Sequence, residues 1–423
     1  MRITNLFAHE ILDSKGDPTL EVLLELENGI ITSGQVPSGA STGATEAFEL
    51  RDKQPRMRGK GVTQAAAKVN TVLKPALVGK DVTAQRELDS LMIQLDGTEN
   101  KSNIGGNSLT GTSLAICRAG AAAQKLPLFK YIGKLSNTEH LSMPQPMILI
   151  MEGGKHGNWA TDIQEFMIVP QGSRMRNFRE MLFAGAEVFH ALEKILLAKG
   201  YDAGVGFEGA YCPRQLSSNE EALTLIVEAI TQAGYHPGED FQLAVDVAAS
   251  EFFHDGNYVL HSEQDRTLTS ADWANQLSEW LTTFPFMSIE DPFHQESWSD
   301  WQAFTALHGQ SMQIVGDDLV TTNVQRIKKA IDSKSMNSTL IKVNQIGTIS
   351  ETLDAIAMTK QAGFASVVSH RGGETNDDTI ADLVVGTASE QCKFGGPDRG
   401  ERLAKYNRLL RIENLLLNQA GAI

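Results

Sequence analysis

Phe286-Met-Ser-Ile-Glu290, Gln313-Ile-Val-Gly-Asp317 and Thr339-Leu-Ile-Lys342 are short apolar runs that each stop on a charged residue. Leu243-Ala-Val-Asp246 precedes them; Ser366-Val-Val-Ser-His370-Arg371 and, less cleanly, Glu390-Gln-Cys-Lys393 follow. Between Asp246, Glu290, Asp317, Lys342, His370 and Lys393 the gaps are 44, 27, 25, 28 and 23 residues. One strand, one helix and two short loops consume about 25 to 30 residues. The spacing therefore predicts consecutive βα units closing into a barrel. Parallel strands buried on both faces read as apolar throughout rather than alternating, as these runs do. Groups at the C-terminal ends of such strands share one mouth.

Upstream the text is different. Leu20, Val22, Leu24 and Leu26 alternate with Glu21, Glu25 and Glu27, and Asn28-Gly29 follows. That pattern predicts a hairpin with a two-residue turn, both central residues at positive φ. Helical text covers Gln64 to Leu73 and Ser108 to Lys125. Strands then helices make a small α+β module, residues 1–134. The polar, proline-broken stretch from Gly133 to Pro146 separates it from a barrel spanning 139–423. Within the barrel, helices over Arg179–Lys199 and Asn219–Ala233 are each closed by a glycine, Gly200 and Gly234.

Composition narrows the function. Lys and Arg total 37 against 52 Asp and Glu, a net charge of −15, the wrong sign for neutralising nucleic-acid phosphates or an anionic membrane surface. Three cysteines (Cys117, Cys212, Cys392) without a CxxC pair suggest neither a disulfide framework nor a zinc knuckle. The opening MRITNLFAHEILDS has no apolar signal core, and no apolar stretch reaches about 18 residues. A cytoplasmic protein with a small-molecule substrate, and neither nucleic acid nor membrane as partner, is expected.

An aspartate after a strand is as readily a helix cap as a functional group, and Asp291 and Asp318 suit that reading. Asp246, Glu290 and Asp317 together are harder to explain so. Three carboxylates in one mouth repel unless a cation is present, and all-oxygen ligation favours Mg²⁺. Lys342, Lys393 and Arg371 facing the same mouth suggest an anionic substrate. Burial and neighbouring cations are expected to lower the Lys342 pKa and make it a base, suited to removing a proton α to a carboxylate. Glu165 and Glu208 could divide acid and base roles. Gly204-Val-Gly-Phe-Glu-Gly209 matches GxGxxG but follows a helical run and precedes Pro213, the wrong context for a dinucleotide. Val36 to Gly43, rich in glycine and hydroxyls, reads as a loop able to close over a ligand.

The phrases VPSGASTG (36–43), LDGTENKS (95–102), DIQEFMI (162–168), AASEF (248–252), SIEDPF (288–293), VGDDL (315–319), IKVNQIG (341–347), SHRGGET (369–375) and RLAKYNRLLRIE (402–413) make the chain resemble the enolase family over nearly its whole length. The resemblance implies a modified eight-stranded β/α, TIM-like barrel after a smaller N-terminal α+β domain, and dehydration of 2-phospho-D-glycerate to phosphoenolpyruvate. It implies Asp246, Glu290 and Asp317 as ligands of a high-affinity Mg²⁺, and Ser41, on the lid, as ligand of a second that arrives with substrate. Lys342 would be the base, Glu208 the acid assisting departure of the hydroxyl, and Glu165 its neighbour. Lys393 would pair with the substrate carboxylate and Arg371 would anchor the phosphate, with His156, His370 and Gln164 completing the site. A homodimer or larger homo-oligomer is implied as well.

Several neighbours depart from the family text. Phe207 replaces the acid before Glu208, and Gly209-Ala210 replaces Gly-Gly. Glu152 stands for Asn, Gly372 for a phosphate-side serine whose backbone N–H would remain, Lys15 for Arg, Phe394 for Thr, and Trp159 enters the loop after His156. The phenyl ring of Phe207 acts to raise the Glu208 pKa by desolvation, while loss of the acid removes a like charge that would also raise it, so the net shift takes no sign from the sequence. An enolase, a paralogue dehydrating a related phosphorylated or phosphonylated 2-hydroxy acid, and an inactive enolase-like binding protein are the three readings.

Overall fold

The computed structural model describes residues 1–40 and 43–419. The N-terminal part is an antiparallel meander, β1 (Ile3–Leu12), β2 (Pro18–Leu26) and β3 (Ile31–Gln35). The alternating leucines of β2 face the helix Gly106–Ala123, and with Leu6, Val69, Leu73 and Ile116 they form a separate core. The turn differs from the sequence reading. Only Gly29 takes positive φ (81°), Asn28 does not, and Gly29 N–H donates to Leu26 O at 2.8 Å. Glu27, Asn28 and Gly29 thus form a three-residue loop with glycine in the left-handed position, the next commonest hairpin type.

Eight strands close the barrel: β4 (Gln145–Glu152), β5 (Glu165–Pro170), β6 (Phe241–Asp246), β10 (Phe286–Glu290), β11 (Gln313–Gly316), β12 (Ser338–Ile341), β13 (Ala365–Ser369) and β14 (Gln391–Lys393). Around the ring the order is β10-β11-β12-β13-β14-β4-β5-β6. All neighbours are parallel except β5, which runs antiparallel to both β4 and β6. The intervening strands β7 (Phe253–His254), β8 (Asn257–Leu260) and β9 (Arg266–Thr269) form a small sheet inserted after β6. That insertion accounts for the long gap between Asp246 and Glu290.

The helices follow their sequence signals. Phe178–Ala198 starts on Asn177 and Asn219–Gln232 on Ser218, each side chain accepting from a first-turn N–H, an arrangement worth about 1 kcal/mol. Gly200 and Gly234 follow at φ 75° and 85°. The helix Leu128–Ser136 and the strand β4 are joined by residues 137–144. Leu128, Phe129, Tyr131 and Ile132 pack into the core outside the barrel strands, and Phe129 N–H donates to Asp382 Oδ1 at 2.9 Å. The α+β part therefore seats on the barrel through its last helix.

Candidate active site

Alternate strand residues point into the barrel. Met147, Leu149, Met167, Ala244, Val315, Leu340 and Val367 form a distinct interior cluster, each side chain other than the smaller Ala244 contributing about 1.5 to 3 kcal/mol where fully buried. Two residues beyond that layer on the parallel strands stand Asp246, Asp317 and Lys342, with Glu290 and Lys393 ending β10 and β14. Period-two alternation thus places a charge one step above the apolar plug on strand after strand. Glu165 is the first residue of β5, yet it reaches the same mouth because β5 is reversed: its register partners are Glu152 and Asp246, the last residues of β4 and β6.

Two lysines share the carboxylates of the mouth, Lys393 among three and Lys342 with one. Lys393 Nζ lies 3.0 Å from Asp246 Oδ2, 2.9 Å from both Glu290 oxygens and 3.2 Å from Glu165 Oε2. Lys342 Nζ donates to Asp317, whose other oxygen accepts from Gln345 Nε2 at 2.8 Å. Burial works against the Lys393 ammonium, but its three carboxylates outweigh burial and hold its pKa well above the usual lysine value. Burial, reinforced by Glu208 and Asp246 respectively, pushes Glu165 and Glu290 well up. Asp317 goes the other way, because Lys342 outweighs its burial. The expected lowering of Lys342 is not found. Burial does push it down, but direct contact with Asp317 overrides burial and raises it.

Opposite Lys342 lies the acid side. In an eight-membered ring β12 and β5 are diametrically placed, and the segment bearing Glu208 caps β4 beside β5 through Glu152 N–H to Tyr211 O, 2.9 Å. Glu208 is gripped between His156 Nδ1 and His370 Nε2, both at 3.3 Å. Burial raises its pKa, and the two histidines more than reverse that, holding it well below the usual range. Phe207 is 37% exposed while Glu208 is 1% exposed, and the histidines decide the direction of the net shift. His370 Nδ1 meets the guanidinium of fully buried Arg402 at 2.6 Å. Arginine can only donate, so the ring carries its hydrogen on Nε2, toward Glu208. Burial pushes the His370 pKa down to about 3. Gln164 Nε2 reaches Asp246 Oδ2 at 3.5 Å.

At the remaining side, Arg371 forks onto Glu46, with NH1 to Oε2 at 3.0 Å and NH2 to Oε1 at 3.1 Å, and NH1 also donates to Asn344 Oδ1 at 3.1 Å. A Cβ on Gly372 would lie 2.8 Å from Ala40 Cβ and 3.3 Å from His156 Nε2, so the glycine is what lets the 36–40 stretch come this close. Lys15 Nζ donates to Gly39 O at 3.3 Å in the same stretch. Ser41 lies outside the described residues. Trp159 stands edge-on to His261 at 5.9 Å, and Phe394 is fully buried near Tyr406.

The enolase N-terminal domain matches residues 3–132, and the enolase C-terminal TIM barrel domain matches residues 140–422. The chain belongs to the enolase family. Mg²⁺ dependence comes with the enolase family, and the donor set here suits it. Glu165, Asp246, Glu290 and Asp317 bear four negative charges when ionised, against two on Lys342 and Lys393. The excess of two matches one divalent cation. Among the described residues, the triplets with ligand atoms all within 4.8 Å are His156, Glu165 and Glu208, and Asp291, Asp317 and Asp318. Asp246 and Glu290 are spaced around the Lys393 ammonium, while Asp317 faces Lys342.

Several residues that shape this site had no assigned role in the sequence: Glu46 on Arg371, Gln345 on Asp317 and Arg402 on His370; Asp291, read as a helix cap, instead accepts from the N–H groups of Asp317 and Asp318 at 3.0 and 2.8 Å. Gln345, Asp291 and Arg402 lay inside the family phrases. No local spacing marked them, because each acts on a residue far along the chain. No described helix is long and apolar enough to cross a membrane.

Proposed function

We propose that the chain is a phosphopyruvate hydratase, a carbon–oxygen lyase that reversibly dehydrates 2-phospho-D-glycerate to phosphoenolpyruvate in glycolysis, as a cytoplasmic homodimer or larger homo-oligomer. The observation that carries this reading is the placement of Lys342 across the barrel mouth from Glu208. Elimination of water needs a base on one face of the substrate and an acid on the other. Lys342 takes the C2 proton, and Glu208 is the acid toward the departing C3 hydroxyl once bound substrate draws His156 and His370 off it and its proton affinity rises. Glu165 stands beside Glu208. Lys393 pairs with the substrate carboxylate, Arg371 and the Gly372 backbone receive the phosphate, and Gln164 lines the pocket.

Asp246, Glu290 and Asp317 would hold one Mg²⁺, and Ser41 a second that enters with substrate; bound there, such ions stabilise the charge that accumulates on the substrate carboxylate. Lys342 is available as a base when Asp317 turns away from it, because the contact that raises its pKa and keeps the amine protonated is then lost. Glu46 must leave the Arg371 fork before a phosphate can use it, since both compete for the same N–H groups.

Incubating the purified protein with Mg²⁺ and 2-phosphoglycerate and following the ultraviolet absorbance of the enol product tests the proposal. Absence of turnover would favour the second reading, a paralogue acting on a phosphonylated or bulkier phosphorylated 2-hydroxy acid. Gly372 and its contact with Ala40 support that alternative, because they alter the phosphate end. An inactive binding protein would show neither turnover nor Mg²⁺ uptake by calorimetry.

A further inference from the structure

Glu152 closes β4, is fully buried, and has no part in the reaction described above. Its orientation comes from a register shift between Leu149 and Met151. Leu149 pairs with Met167 on the interior face, and after the shift Glu152 pairs with Glu165, so Glu152 also faces inward. Re-aiming a side chain near a site is a common use of such an irregularity. The two carboxylate oxygens accept from Glu208 N–H at 3.2 and 3.1 Å, and one also accepts from Ala210 N–H at 3.0 Å. Glycine at 206 makes the space: a Cβ there would lie 2.5 to 2.8 Å from the carboxylate atoms. Phe207 N–H meanwhile donates to His156 O at 3.2 Å. The peptide carrying Glu208 therefore hangs from Glu152. The acid missing at position 207 has a buried counterpart one strand away.

We propose that Glu152 is a positioning residue for Glu208: its hydrogen bonds fix the 207–210 peptide and with it the direction of the Glu208 carboxyl. The catalytic half of this statement rests on Glu208 being the acid of the proposed reaction. The charged or titratable groups facing Glu152 are Glu208 and Arg402, with the Cys212 thiol nearby. Those facing Glu208 are His156, His370 and Glu165. Burial, reinforced by Glu208, pushes Glu152 up to about 8, so its negative charge arrives in the mildly alkaline range. Below that, it acts through hydrogen bonds alone.

Two substitutions separate the effects. Glu152→Gln keeps an acceptor and deletes the charge; Glu152→Ala deletes both. With Glu152→Gln, kcat and KM should each change less than twofold below about pH 7, where Glu152 acts through hydrogen bonds alone, and any step that the parent kcat profile shows near pH 8 should disappear. With Glu152→Ala, kcat should fall at least tenfold at every pH. Gly206→Ala, which displaces the carboxylate without removing it, should lower kcat in the same way. A substrate-free readout makes the result independent of the reaction. In protein with isotope-labelled histidine, the ring signals of His156 and His370 should inflect near pH 8, and Glu152→Gln should abolish that inflection. Loss of the inflection without any turnover would refute the reaction while supporting the Glu152–Glu208 coupling. Wild-type kcat in Glu152→Ala together with unchanged histidine inflections in Glu152→Gln would overturn the proposal.

Discussion

Replacing Lys393 by Met keeps the length of the side chain and removes the ammonium that Asp246, Glu290 and Glu165 share at 3.0, 2.9 and 3.2 Å. Removing one partner from a buried ion pair costs about 3 to 5 kcal/mol, because the other is left uncompensated. Here the cost depends on pH. Glu165 and Glu290 already bind protons more tightly in the folded chain than an ordinary glutamate does. The stability associated with a raised carboxyl pKa is complete below the unfolded value, about 4.3, and is lost as pH rises through the folded value. Without Lys393 both values rise further, so the variant should lose about 3 kcal/mol at pH 6 and nearer 5 at pH 8. At an unfolding entropy of about 2.1 cal/mol/K per residue, this corresponds to a Tm drop of roughly 3 to 6 °C for a chain of this length. Calorimetric melting in the presence of a chelator, at both pH values, measures it. Adding Mg²⁺ should recover more stability in the variant than in the parent, since the freed carboxylates gain a counter-charge. Equal Tm values for variant and parent at pH 6 and pH 8 would refute the view that Lys393 balances the carboxylate excess.

Lys342→Ala should reduce turnover of 2-phosphoglycerate by about a hundred- to ten-thousandfold, the usual contribution of one proton-transfer group; by releasing Asp317, it should tighten substrate-free Mg²⁺ binding in a calorimetric titration. Glu46→Gln loosens the fork on Arg371, so inorganic phosphate should bind the metal-free protein several-fold more tightly in a fluorescence or calorimetric titration. Gly372→Ser brings a Cβ to 2.8 Å from Ala40, and an overpacking cost of about 1 to 3 kcal/mol against the closed loop should raise KM roughly five- to a hundredfold while Tm stays within about a degree.

The barrel was legible because its signal is local. Each strand declares itself through a short apolar run, each crossover consumes a fixed length of chain, and the terminal charges of LAVD, FMSIE, QIVGD and TLIK mark the strand ends without reference to anything distant. The inward direction of Asp246, Asp317 and Lys342 follows from the same period of two. Gly29 shows the limit of a local rule: Asn-Gly announced a hairpin correctly, but the loop closed with three residues rather than two.

What only the tertiary structure decided depends on encounters between residues far apart in the chain. Glu165 stands at the start of its strand, and only the reversed direction of β5 brings it to the mouth. The Lys342 pKa rises instead of falling because Asp317, from the neighbouring strand, touches the amine. Glu208 owes its depressed pKa to His156 and His370, from two other loops, rather than to the adjacent Phe207. Strand identity and facing are properties of a few consecutive residues, whereas proton affinity in a buried site is a sum over whichever charges the fold brings within a few ångströms. The sequence alone therefore determined that the strand-end groups Asp246, Glu290, Asp317, Lys342 and Lys393 share the barrel mouth; the three-dimensional arrangement added Glu165 and decided which groups neutralise one another.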